Sequence, residues 1–303
     1  MAIIQTHHLS KKFKDLLAVD NVNLEIEEGE CFGLLGPNGA GKTSLIRMII
    51  AVSPPLEGDI RVQGMDLKTH PRQVKAILGV VPQIDNLDED LTVVQNLTTF
   101  ARYFAVPKAE ARRRSLELLR LFQLESKIDS RIKELSGGMK RLLLIARGLV
   151  NLPRILILDE PTIGLDPQTR HLVWQQLREL RGRGITQVLC TQNMEEAELL
   201  CDRVAIMHLG RILSLDTPKA LIARHVGDEV VEIEVSAGNR EKIVRELSNR
   251  GLDFVDVGDT VHVFNTDSDE VVAGAVNLSD GMRRRSATLE DVFFKLTGRA
   301  LEE

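Results

Sequence analysis

The sequence predicts an α/β fold: a mostly parallel sheet with helices on both faces, a helical insert, and a small α+β domain at the C-terminal end. Three observations carry this. Short apolar runs of strand length alternate with amphipathic stretches of helix length, the pattern of β-α-β units. The strand-like runs stop between about Thr92 and Val150, where three helical stretches follow one another. Beyond about residue 222 the pattern changes to short, charge-rich strands around one amphipathic helix.

Val19 to Glu27 alternates, with Val22, Leu24 and Ile26 against Asn21, Asn23 and Glu25, which predicts a half-buried strand near a sheet edge. Cys31 to Leu35 is an unbroken apolar run that stops at Gly36, a strand buried on both faces. Thr43 to Ile50 reads as a helix and Ile77 to Val81 as a strand. Leu91 to Phe104, Lys108 to Phe122 and Gly138 to Val150 read as helices and make up the insert. Arg154 to Leu158 is a buried strand that runs into Asp159-Glu160. His171 to Arg181 (helix), Thr186 to Cys190 (strand), Met194 to Cys201 (helix) and Arg203 to Met207 (strand) complete the first domain. In the tail, Val230 to Val235 alternates charged and apolar residues, and Arg240 to Asn249 places Ile243, Val244 and Leu247 on one helical face. Phe254 to Val257 and Val261 to Phe264 flank Gly258-Asp259, a hairpin signal. Asp269 to Val276 and Leu289 to Leu296 read as helices. The expected domains are 1–222, with the insert at about 87–150, and 223–303.

Composition narrows the function. The 303 residues are 43% hydrophobic and 27% charged, ample for two packed domains. A net charge of −5 gives no electrostatic case for nucleic acid. No apolar run approaches the ~20 residues that span a bilayer; the longest, Arg141 to Val150, carries Arg147. The N-terminal residues lack the basic-then-apolar shape of a secretory signal. Cys31, Cys190 and Cys201 form no Cys-x-x-Cys pair and read as reduced, buried thiols. His7-His8 are neighbours on a strand and should point to opposite faces, which argues against a shared metal. The triplets at 112–114 and 283–285 are arginines, read as solvated faces, with contact to anionic lipid headgroups as the alternative.

The chemistry lies in three segments. Gly36-Pro37-Asn38-Gly39-Ala40-Gly41-Lys42-Thr43 fits Gly-x-x-x-x-Gly-Lys-Thr and falls between a predicted strand and a predicted helix. Its glycines let consecutive N–H groups turn onto phosphate oxygens, Lys42 can reach the β- and γ-phosphates, and Thr43 can ligate Mg²⁺. Asp159 ends a buried strand, where it can hold Mg²⁺ through water. Glu160 then suits a general base or an orienter of the attacking water. Ser136-Gly137-Gly138 precedes a helix, with Ser136 as N-cap, and forms a second anion nest. One phosphate loop already serves one triphosphate, so the second nest suggests a phosphate shared between two copies of the domain.

In order and spacing, these motifs resemble those of the ATP-binding subunit of an ABC transporter, over residues 1 to about 222. The likeness comprises Walker A at 36–43, a Q-loop at Val81-Pro82-Gln83, the signature at 135–139, Walker B at 155–159 with Glu160, and a D-loop at Gly164-Leu165-Asp166. It implies a P-loop NTPase fold with a RecA-like sheet, and ATP and Mg²⁺ as the bound species. It places Gly36, Pro37, Asn38, Gly39, Ala40, Gly41, Lys42, Thr43 and Ser44 around the nucleotide, and Thr43, Gln83 and Asp159 at the metal. Glu160, Gln192, Gln83 and Lys42 are the implied catalytic set. Ser136, Gly137, Gly138 and Asp166 are implied to act on ATP held by a second ATP-binding domain, packed head to tail in a homodimer. Phe13 falls where the family places an aromatic that stacks on adenine, with ordinary packing as the alternative.

A narrower resemblance joins Leu135 to Arg141, Arg170 to Trp174 and Ala287 to Phe293 to the exporter branch that includes nodulation-factor and anthracycline-drug ATPases. That branch carries an accessory C-terminal domain and works with a separate integral-membrane permease of the ABC-2 type. It implies a peripheral protein at the cytoplasmic face of the inner membrane, with Ile84 to Phe104 docking on a permease helix. One residue departs from the family pattern. In Thr191-Gln192-Asn193-Met194-Glu195-Glu196-Ala197, Gln192 stands where the family has a histidine. A neutral amide gives a weaker contact to a charged phosphate, which predicts slow hydrolysis. Two alternatives stay open: a weakly hydrolysing regulatory subunit, or a soluble ABC ATPase of translation or DNA repair.

Overall fold

The computed structural model describes residues 1–236, 238–265 and 281–298. The helix expected at Asp269 to Val276 lies outside the described residues. The chain opens on two long strands, β1 (Ala2–Phe13) and β2 (Leu16–Glu27), then β3 (Cys31–Leu35) and α1 (Lys42–Ile49). β4 (Glu57–Val62), β5 (Met65–Asp66), α2 (Pro71–Ala76) and β6 (Leu78–Val81) follow. The insert contributes α3 (Val93–Arg102), α4 (Lys108–Leu121) and α5 (Gly137–Gly148). Then come β7 (Ile155–Asp159), α6 (Pro167–Gly182), β8 (Thr186–Thr191), α7 (Met194–Leu200), β9 (Arg203–His208) and β10 (Arg211–Asp216).

Strands β9, β3, β8, β7 and β6 lie side by side and pair in parallel, with β10 beyond β9. Every residue of β3, β7 and β8 is buried. Helices cover both faces of such a sheet, so its strands are apolar throughout instead of alternating. The register sets Leu35 opposite Thr191, and Asp159 opposite Cys190. The carboxyl ends of three strands therefore meet at one edge, where Gly36, Glu160 and Gln192 leave the sheet as neighbours. All three cysteines are buried, as expected.

A second sheet was not foreseen. β2, β1, β4 and β5 form an antiparallel sheet of their own, with β2 at its edge. β1 escapes a periodicity reading because its register slips repeatedly, including between Thr6 and Leu9. That bulge corrects one expectation: His7 and His8 are both exposed and do not alternate, because His8 adopts φ 49°. In the insert, α3 starts two residues later than expected. Thr92 accepts from the Gln95 amide, and the Gln95 side chain accepts from the Thr92 amide, a reciprocal cap that fixes the start at Val93.

The contacts divide the described chain between Ile212 and Leu213, inside β10. The boundary expected at 222/223 falls inside α8 (Pro218–His225). The second unit continues with β11 (Glu229–Glu234), α9 (Arg240–Asn249), β12 (Asp253–Val257), β13 (Thr260–Phe264), β14 (Gly281–Ser286) and α10 (Leu289–Thr297). Its antiparallel sheet has the order β12-β13-β11-β14, that of a split β-α-β arrangement. Val231, Ile233, Val261 and Val263 pack on Ile243 and Leu247 of α9. Of the 283–285 triplet, Arg283 and Arg284 are exposed, as a solvated face requires, whereas Arg285 departs from that reading: it is half-buried between Glu232 and Asp291.

Asp291 is 0% exposed and accepts from Arg285 at 2.6 and 2.7 Å and from the Thr288 amide at 2.9 Å. Burial pushes this carboxyl up, but Arg285, His262 and the Thr288 amide outweigh it and hold it well below the ordinary carboxylate range. A folded pKa below the unfolded one stabilises the fold above pH ~4, and the contribution fades as pH falls from there. Asp291→Ala is expected to cost about 3–5 kcal/mol at pH 7, because it strands a charged guanidinium. Calorimetry should show an earlier unfolding step, with the gap to the parent narrowing below pH ~4.

Candidate functional site

β3 hands over directly to the loop at 36–41, and α1 begins at Lys42. Two glycines of the loop are forced by close approach. A Cβ on Gly36 would stand 2.2 Å from the Met207 carbonyl oxygen, and one on Gly41, at φ 107°, 2.3 Å from that of Ala18. α1 has no acidic residue in its first turn, so its positive end stays uncompensated. Phe13, Leu16, Ala18, residues 37–44, Gln83 and Glu160 line a cleft of about 200 Å³. Phe13 is 46% exposed there, with the Lys11 ammonium 5.2 Å from its ring centre.

Lys42 is 5% exposed, and its Nζ donates to the carbonyls of Gly36 (2.6 Å) and Pro37 (3.1 Å). The same ammonium lies 3.5 Å from Glu160 Oε1. The Thr43 hydroxyl donates to Asp159 Oδ2 at 3.2 Å. Glu160 sits at φ 49°, its N–H donates to the Cys190 carbonyl (2.8 Å), and its Oε2 accepts from the Gln192 amide (3.3 Å). The two adjacent carboxyls thus face different partners. Burial pushes both above the ordinary carboxylate range, offset in part by Thr43 and Lys42 at Asp159 and by Lys42 and the Gln192 amide at Glu160.

Other expected residues lie apart from the cleft. Ser136, Gly137, Gly138 and Asp166 do not line it. Ser136 caps α5, accepting from the Met139 amide at 3.2 Å. Asp166 caps α6, accepting from the Thr169 amide (2.9 Å) and hydroxyl (2.7 Å). A Cβ on Gly138 would stand 3.0 Å from Thr169 Cγ2, so half-buried Thr169 brings the two helix starts together, with Ser136, Gly137 and Asp166 exposed beside it. Gln192 is half-buried, and it is the main-chain amide that touches Glu160. Three residues escaped the sequence reading. Leu16 and Ala18 reach the cleft from β2, which no local motif marks. Arg141 is buried behind the site, bonded to the main chain on both sides of it; a charged residue in the apolar run from 141 to 150 was the available signal.

The donor set suits a hard divalent cation. A hydroxyl (Thr43) and a carboxylate (Asp159) meet as oxygen donors or anchors for water, as Mg²⁺ prefers, and exposed Gln83 lines the same cleft as Thr43. Buried Glu160 Oε1 has no hydrogen-bond partner, a polar atom left for water or substrate. Among the described residues no cluster of three or more His, Cys, Asp or Glu could hold a metal unaided. Thr43 and Asp159 would therefore share the ion with water and phosphate oxygens.

The family described as ABC transporter matches residues 19–163. The chain is 44% identical over 299 residues to the Nod factor export ATP-binding protein I of Rhizobium sp. (strain N33), covering 97% of each chain. It is 44% identical over 304 residues to the protein of that name from Paraburkholderia xenovorans (strain LB400), covering 100% of this chain and 99% of that one. Among solved structures, an ATP-binding subunit of an ABC transporter is similar at TM-score 0.67 and 30% identity, over 73% of this chain and 92% of that one. A dimeric ATP-binding cassette in a post-hydrolysis state, bound to ADP and phosphate, is similar at TM-score 0.65 and 28% identity, over 71% of this chain and 98% of that one.

The loop geometry separates two glycines experimentally. Gly41→Ala meets a carbonyl at 2.3 Å, whereas Gly39→Ala meets open space and pays only for its φ of 81°. A left-handed alanine costs ~1–2 kcal/mol, which caps the affinity loss at roughly 5- to 30-fold, reached where the empty loop relaxes out of that conformation. Titration with a fluorescent ATP analogue should show a loss within that cap for Gly39→Ala and at least ~100-fold for Gly41→Ala. Equal losses in two folded variants would contradict the geometry.

Proposed function

The chain belongs to the ATP-binding subunits of ABC transporters, and we propose that it powers export through a separate integral-membrane permease of the ABC-2 type. Two copies close on ATP, and hydrolysis reopens them. The observation that carries the hydrolytic half is the convergence of Lys42, Thr43, Asp159 and Glu160 at the head of α1. Export is supported by the names of the relatives, and pairing by the dimeric state of the similar cassette. The site of action is the cytoplasmic face of the inner membrane. No helix among the described residues is long and apolar enough to cross a membrane.

In this reading the loop amides and Lys42 bind the β- and γ-phosphates, and Phe13 stacks on adenine. Thr43, Asp159 and Gln83 hold Mg²⁺, which when bound neutralises phosphoryl charge. Glu160 takes the proton of the attacking water as the water oxygen bonds to the γ-phosphorus and the bond to ADP breaks. Burial lifts the Glu160 pKa toward the range in which a carboxylate is a more effective base. Ser136, Gly137, Gly138 and Asp166 do not line their own cleft and complete that of the partner copy. Gln192 contacts the terminal phosphate as a neutral donor, which makes hydrolysis slow. Residues 84–104 dock the permease, and Ile84 and Tyr103 are 76% and 81% exposed there.

Phosphate release by the purified chain tests the catalytic roles. Glu160→Gln should lower turnover by at least ~100-fold while leaving ATP binding intact. The acidic limb of turnover should lie above the ordinary glutamate value of ~4.3 and vanish in that variant. Gln192→His should raise turnover about 5- to 30-fold, equivalent to ~1–2 kcal/mol at the transition state. An undiminished Glu160→Gln would remove the base assignment, and an unchanged Gln192→His would make the substitution silent.

The docking surface has its own test. Glu89→Lys with Asp90→Lys should weaken co-purification with the permease and the ATPase stimulation it confers. Basal turnover of the isolated chain should stay the same. Unaltered assembly and stimulation would move the docking surface elsewhere.

A further inference from the structure

Five main-chain carbonyls converge on one buried guanidinium. Arg141, in the second turn of α5, is 6% exposed. Its Nε donates to Pro161 (2.7 Å), Nη2 to Asp159 and Glu160 (2.7 Å each), and Nη1 to Pro82 (2.6 Å) and Gln83 (3.5 Å). A guanidinium has five N–H donors fixed in one plane, so every donor is taken. Among the described residues its direct partners are these main-chain carbonyls. A cation so placed is costly to bury; the carbonyls bind it directly, and the carboxylates of Asp159, Glu196, Glu160 and Asp85 offset part of the burial from further away.

The carbonyls are not scattered. They belong to the two segments that carry Gln83 and Glu160. Glu160 adopts a left-handed backbone, φ 49°, that a side chain disfavours by ~1–2 kcal/mol. Such a conformation persists only where its surroundings over-determine it. Here the Glu160 carbonyl is held by Arg141, its N–H by Cys190 and its carboxylate by the Gln192 amide. Further along α5, Arg147 donates to the Asn86 carbonyl at 3.0 Å and to the Asn86 side chain, which pins the loop after Gln83 at a second point. The helix that supplies both arginines begins at the exposed nest of Ser136, Gly137 and Gly138.

We propose that Arg141 is a positioning residue for hydrolysis, fixing Glu160 and the Gln83 loop to the helix that carries the second nest. The proposal rests on Glu160 acting as the base. Arg141→Lys keeps the charge but replaces a planar fork of five donors with three on a flexible stem, too few for the carbonyls. A catalytic group displaced by about 1 Å can lose ~10²-fold in rate.

Steady-state phosphate release by the full chain with MgATP should show kcat lowered about 10- to 100-fold in Arg141→Lys, with KM for ATP within about twofold of the parent. Added to Glu160→Gln, the same change should leave the residual rate within about twofold, because the positioned group is already gone. If Arg141→Lys loses cooperative unfolding, Arg141→Gln, which retains a planar amide donor, replaces it. A folded variant with parental kcat, a KM rise matching the rate loss, or losses that multiply in the double variant overturns the role. Loss of folding in both variants overturns it too, leaving a structural clamp only. A Glu160→Gln chain with full turnover would remove the base assignment itself, whereas a crippled Glu160→Gln beside an unimpaired Arg141→Lys would remove only the positioning role.

Discussion

The site is organised around a positive charge that water barely reaches. Lys42 is 5% exposed, so its ammonium is solvated by the Gly36 and Pro37 carbonyls and faces Glu160. In a trans peptide the C=O and N–H point in opposite directions. The Pro37 carbonyl turned onto Lys42 therefore turns the Asn38 N–H away from it. One buried cation fixes the loop so that lysine and amide present themselves as separate donors. It also leaves a charge imbalance, because Asp159 and Glu160 are both buried and both carry carboxyls pushed upward in pKa. A divalent cation held by Thr43 and Asp159 would supply the missing positive charge, and a triphosphate would in turn match the sum of Lys42, the ion and the positive end of α1.

The parts of this arrangement legible in the sequence are those set by local constraints. β3 and β7 are buried on both faces, so Cys31 to Leu35 and Ile155 to Leu158 read as unbroken apolar runs. The loop glycines are legible because their backbone demands are local. β1 was invisible because its bulges destroy the period of two that marks a strand. β14 was invisible because Gly-Met-Arg-Arg-Arg-Ser has no apolar face. Its arginines are balanced by Glu232, Glu229 and Asp291 from other elements. Arg141 shows the same limit at the site. Its partners lie between 18 and 59 residues away in the chain, and neither spacing nor composition announces them.

Gly137 and Gly138 both stand at the start of α5, yet they answer to different constraints. Gly138 is hemmed in, since a Cβ there would press on Thr169 at 3.0 Å. Gly137 has nothing within 4 Å of a Cβ, and its φ is not in the left-handed range. Nothing among the described residues crowds this position, the first residue of α5, enough to require glycine. A bare backbone is useful where another surface must come closer than a methyl group allows. Ser136 and Gly137 are exposed, and the first turn of α5 holds no acidic residue to satisfy its amides. The bare backbone at Gly137 leaves room for a closely approaching surface, and an anionic group suits those amides. A triphosphate seated in the loop of a second copy meets both conditions, so the feature of α5 that makes least sense in one chain is accounted for by two.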